Sequence, residues 1–188
     1  MFIAQMEQMR RYGVADDDIR AALMLARRLM SLDAQMFPDI PCGVHPIRAG
    51  GPAQCAQYVT MTGGGESYII YVDHLRERLT LQAAGLLSEH AHRGQAQESD
   101  AFAWLVDAIA VHEVRHRLQE HGVPPVSMWT LTDLFPPDRD VMDAILLEVS
   151  PRPVTAREID ARIVEYLYIA DRFSGNDEPA AAVRRQPR

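Results

Sequence analysis

Between Ala101 and Val111 only Asp107 interrupts a run of apolar residues that contains neither Gly nor Pro. Such a run reads as helix, and a helix that is apolar nearly all round is buried on most of its sides. It continues as His112-Glu113-Val114-Arg115-His116 and is stopped by Gly122, Pro124 and Pro125. Whatever this chain folds into is therefore organised around one buried helix over 101–122. A chain of 188 residues with 47% apolar content can bury such an element inside one domain, 1–188. Two histidines four apart on a helix share a face, so both rings can reach one ion. The glutamate between them lies about 100° round the helix.

The remaining bulk properties exclude several classes. A formal net charge of -7, with basic residues scattered as Arg10-Arg11, Arg27-Arg28 and Arg184-Arg185, does not make a phosphate-binding surface, so no nucleic acid partner is expected. No window approaches about 18 uncharged apolar residues, so no membrane span is expected. Met1-Phe2-Ile3-Ala4-Gln5-Met6-Glu7 lacks a charged leader before a long apolar run, which points away from a signal peptide and towards a cytoplasmic setting. In that setting Cys42 and Cys55 are expected as free thiols; neither has a C-x-x-C partner that would make a zinc site.

Along the chain, apolar spacing predicts N-terminal helices within 1–37. One covers Met1 to Tyr12 and ends at Gly13. A second opens at Asp16-Asp17-Asp18, where a carboxylate is available as N-cap, and ends before Pro38. The stretch from Pro38 to Pro52 is rich in Pro and Gly and reads as loop with at most one short strand near Val44 to Arg48. Tyr58 to Thr62 and Ser67 to Val72 flank Gly63-Gly64-Gly65, a β-hairpin pattern. No Lys-Ser/Thr follows the glycines, so they are not a phosphate loop. A third helix is expected from Leu75 to about Ala91, with Ser99 or Asp100 capping the long one. Beyond it come a short helix or turn at Trp129 to Phe135, a helix at Asp138 to Val149 and a stiff connector at Ser150 to Pro153. A last helix runs from Thr155 to about Phe173, followed by a flexible tail, 174–188.

His112-Glu113-x-x-His116 is the H-E-x-x-H pattern of zinc hydrolases, in which two histidines bind Zn2+ and the glutamate handles the proton of the attacking water. The bland alternative is a solvated helix end, and Arg115, Arg117 and Glu120 suggest a wet side. Catalytic zinc sites use three protein ligands. A third histidine six residues after His116 would make a metzincin, but that position is Gly122, and the metzincin glycine position is Gln119. His121 is more simply a cation near a helix C-terminus.

A glutamate on a later helix is the other source, and Arg157-Glu158-Ile159-Asp160-Ala161 resembles the glutamate helix of the gluzincin peptidases. It is closer still to the E-x-x-A-[D/N] form of CAAX-prenyl endopeptidases and of small peptidases related to phage-repressor-cleaving proteins. The resemblance implies Glu158 as third zinc ligand and Ala161 as the small residue that lets the two helices approach. Arg162 stands where those families have Asp or Asn, so the partner that orients a zinc histidine must come from elsewhere; Asp160 and Asp107 are candidates. Thr155-x-x-Glu158 also fits a capping box, and Glu165, on the same face as Glu158, is the second candidate ligand. In gluzincins an edge strand above the metal pairs with the substrate, a part that Ser67 to Val72 would fill.

The chain is thus expected to be a zincin-like α+β domain. A small β-sheet would pack on the buried active-site helix, with additional N-terminal helices and a C-terminal glutamate helix. The activity implied is hydrolysis of a peptide or protein substrate, with His112, His116 and Glu158 on zinc and Glu113 as general base. Tyr166, Tyr168, His74 and His121 are candidate oxyanion donors, and the residues do not choose among them. The alternative is a latent or non-catalytic regulatory protein of the same fold.

Overall fold

The computed structural model describes residues 2–46, 54–89, 97–123 and 156–173. The expected elements at Trp129 to Phe135 and Asp138 to Val149, the connector after them and the tail 174–188 lie outside this set. Among the described residues there are five helices and one sheet: α1 (Phe2–Arg11), α2 (Asp16–Asp33), β1 (Cys42–His45), β2 (Ala56–Thr60), β3 (Glu66–Tyr71), α3 (Leu75–Glu89), α4 (Glu98–Glu120) and α5 (Ala156–Phe173). The architecture is α+β.

The sheet is mixed, in the order β1-β3-β2, with β1 parallel and β2 antiparallel to β3. The hairpin turn depends on its glycines: Gly63 and Gly64 have φ of 104° and 85°, which side chains with a Cβ rarely adopt. The Met61 N–H closes the turn on the Gly65 carbonyl at 2.7 Å. One expectation is corrected here. The strand at Ser67 to Val72 cannot pair with a substrate, because β3 is central and both its edges are taken. β2 is the outer strand on the side facing α4. The short first strand begins at Cys42, two residues before the expected start.

Helix α4 runs through the middle of the domain, against α5, α2, α3 and β2. Ala101, Leu105, Val106, Ala108, Ala110, Val111 and Val114 are all buried on it. Its start differs from expectation: Gln97 occupies the cap position and Asp100 lies one turn in, its carboxylate accepting from the Gln97 N–H at 3.4 Å. Likewise Ala15, not an aspartate, precedes α2, and Asp16, Asp17 and Asp18 occupy its first turn, where the helix dipole favours them.

The wet side expected of Arg115 and Arg117 does not exist, since they are 0% and 3% exposed. Arg115 forks onto Asp160 of α5, Nε to Oδ2 at 2.7 Å and NH2 to Oδ1 at 3.0 Å. Arg117 donates to Asp33 at the end of α2, to Glu66 of β3 and to the Pro38 carbonyl, and its guanidinium lies 4.5 Å over the Phe37 ring. Tyr68 donates to the other oxygen of Asp33 at 2.7 Å. Buried charges persist only when paired in this way. Two arginines two residues apart, on nearly opposite sides of the helix, therefore tie the histidine end of α4 to a helix on one side and to the sheet on the other. Glu120 alone of the three is exposed, paired with Arg157.

Candidate metal centre

His112 and His116 lie one turn apart on α4, and α5 presents Glu158 to both. The two Nε2 atoms are 3.1 Å apart. One Glu158 oxygen lies 3.1 Å from His116 Nε2 and the other 3.4 Å from His112 Nε2. Zinc with four tetrahedral ligands at about 2.0–2.1 Å places ligand atoms about 3.3–3.4 Å from one another. With one oxygen of Glu158 against each histidine, and one ligand atom from each residue within 4.8 Å of the others, the three side chains could hold such an ion.

The outer partners strengthen the fit. Glu165 Oε2 is 3.0 Å from His112 Nδ1, and Gln119 Oε1 is 3.0 Å from His116 Nδ1. The Gln119 amide nitrogen donates to the Arg157 carbonyl and to Asp160, which fixes its oxygen towards the ring. Each histidine thus carries its proton on Nδ1 and turns the Nε2 lone pair inward, where it meets the other lone pair and a carboxylate. Three convergent acceptors need a cation between them, a proton or a metal ion.

The titration of the site follows. Burial disfavours a charged His112, but the hydrogen bonds it donates to the Glu158 and Glu165 carboxylates outweigh it and push this histidine up to about 10. Burial likewise opposes the Glu158 carboxylate, yet His112 and His116 hold it well below the usual range. Glu165, against the same burial, is lowered by Arg162 and His112. A histidine raised from 6.5 to about 10 stabilises the fold fully below 6.5 and loses that contribution as pH climbs through 10. Urea midpoints of chelator-treated protein should fall across this window, and His112→Asn should flatten the profile. Zinc must displace the same proton, so its affinity should rise with pH where stability of the metal-free chain falls. A flat wild-type midpoint contradicts the assignment.

Glu113 is 6% exposed and turned away from the cluster of donors towards the sheet. Its Oε2 accepts from the Tyr58 N–H at 2.7 Å, on the outer edge of β2. The Tyr58 hydroxyl donates to Glu66 at 2.7 Å, so that one residue links Glu113 to the Arg117 network.

The structure brings His112, His116 and Glu158 together, holds the Glu113 carboxylate on the Tyr58 N–H of β2, and places the second candidate ligand, Glu165, behind His112 at its Nδ1. Asp160 reaches the site through Gln119, whereas Asp107 is bound to Tyr168 and Arg28. Sequence reasoning missed Gln119 and the Tyr58 N–H. Gln119 was open to discovery, since three residues after His116 it shares that face; a main-chain donor from a strand carries no signal in residue identity. Among the oxyanion candidates, Tyr168 is spent on Asp107, His121 on Glu66, and His74 faces Asp73 and Glu77. Tyr166 is half-buried on α5. Cys42 and Cys55 are buried and not joined by a disulfide, and burial pushes their thiols up to about 12 and about 11. No described helix is long and apolar enough to cross a membrane.

Comparison with known proteins returns no match: no family model, no curated protein and no solved structure matches the chain.

Proposed function

We propose that this chain is a zinc-dependent metallopeptidase of the gluzincin type on a zincin-like fold, hydrolysing peptide bonds. The observation that carries the reading is the convergence of His112 Nε2, His116 Nε2 and Glu158 on one point, each histidine held from behind by its own acceptor. A zinc ion held there would polarise a carbonyl and acidify a water molecule towards neutrality. The chain's own residues supply the rest. Tyr58 fixes one oxygen of Glu113, leaving Oε1 to take the proton of the attacking water and to return it to the leaving amine. The outer edge of β2 offers main-chain groups to an extended substrate. A reducing, cytoplasmic setting suits two buried thiols.

A latent or non-catalytic form of the same fold is the second reading, and one contact favours it: the Tyr58 N–H that an extended substrate would use is taken by Glu113. Glu113→Gln separates the two. For a peptidase, elemental analysis should find one zinc per chain in wild type and variant alike. Cleavage of a mixed peptide library should fall about 10²–10⁴-fold in the variant. Equal cleavage, or no cleavage by the zinc-loaded wild type, favours the latent form; no zinc after reconstitution removes both readings.

A further inference from the structure

Arg162 is a cation inside a site read as built for a cation. It lies on α5 four residues after Glu158 and three before Glu165, so all three side chains share one face. Its Nε is 3.3 Å from Glu158 Oε1, the same oxygen that faces His112 Nε2 at 3.4 Å. Its NH1 is 3.1 Å from Glu165 Oε2, the same oxygen that faces His112 Nδ1 at 3.0 Å. The guanidinium and the imidazole thus contend for the same two oxygens, one on the proposed ligand and one on the group that orients the first histidine.

We infer that Arg162, through its charge, limits how tightly the centre holds its metal, keeping it loadable and unloadable rather than permanently filled. The inference rests on the metal-centre reading above. Two effects of Arg162 act in opposite directions. It helps orient Glu158 and Glu165, which favours metal binding. It also sets a positive charge against the ion and draws carboxylate density away from it, which disfavours binding. Orientation is redundant here, because the histidines already hold both carboxylates. The charge is not redundant, and an arginine cannot relieve the repulsion by losing its proton. Electrostatic opposition therefore dominates. A half-buried guanidinium at hydrogen-bond distance from a ligand is screened less than a surface charge, so the effect should be large enough to measure.

The test is zinc affinity by competition with a chromophoric chelator, at fixed pH and ionic strength, on wild type, Arg162→Met and Arg162→Lys. Removing the charge should tighten binding about tenfold or more and slow zinc release, while Arg162→Lys, which keeps it, should stay close to wild type. Should Arg162→Met fail to fold, Arg162→Gln takes its place with the same expectation. Unchanged or weaker binding in the uncharged variant overturns the inference and leaves the metal centre standing; a purely orienting arginine predicts weakening in both variants. A wild type that binds no zinc overturns the inference together with the reading on which it rests.

Discussion

Arg115→Ala should destabilise the fold by about 3–5 kcal/mol, measured as a drop in the urea midpoint. Neither Arg115 nor Asp160 is exposed at all, and each is the other's bidentate partner. Truncating the arginine leaves the Asp160 carboxylate buried without its cation, the Gln119 amide remaining as a neutral donor, and that uncompensated charge dominates the loss. Replacing both partners, as Arg115→Met with Asp160→Leu, should cost much less, because no charge is then left behind. If the double variant is as unstable as the single one, packing of the arginine stem rather than charge pairing accounts for the effect. The same substitution reaches the proposed metal centre. Arg115 adjoins His116, Asp160 lies two residues beyond Glu158, and their bond sets the separation of α4 from α5 at the point where the donors meet. Whatever fraction of Arg115→Ala remains folded should hold zinc less tightly.

Glu158→Ala and Glu165→Ala should part company. Loss of Glu158 removes a ligand, and elemental analysis should find no stoichiometric zinc. Loss of Glu165 removes the acceptor behind His112, for which a weakening of about 10–100-fold is expected, with zinc still present at saturating concentration. The reverse outcome, zinc kept by Glu158→Ala and lost by Glu165→Ala, would exchange their roles and move the centre along α5 by two turns. The geometry favours the first result, since Glu158 meets both Nε2 atoms whereas Glu165 meets only the far nitrogen of one ring.

What was readable in advance was local. Periodicity and punctuation placed α2, α4 and α5 to within a few residues, and the triple glycine marked the hairpin. The histidine pair was legible from its helical spacing, and Glu158 from the resemblance of its segment to a gluzincin glutamate helix; the structure brings the three side chains together. Arg115 and Arg117 were misread because a charged side chain announces its charge but not its partner, and their partners lie 45 and 84 residues away in the chain. Strand order failed for the same reason. β1 is short and set among Pro and Gly, so nothing local showed that it would cover the second edge of β3. The outer partners of the histidines were half readable: Glu165 was recognised as facing the site, as the second candidate ligand, and the structure sets it against the far nitrogen of His112.

Tyr58 is anchored twice, by its main chain to Glu113 and by its hydroxyl to Glu66. The side-chain anchor does not involve the edge of the strand, so β2 can stay in place while its outer N–H changes partner. An extended chain that aligns with β2 at this residue has to take that hydrogen atom from Glu113. On the peptidase reading proposed above, arrival of the chain and release of the carboxylate would be a single exchange of acceptors, with the strand itself as the latch.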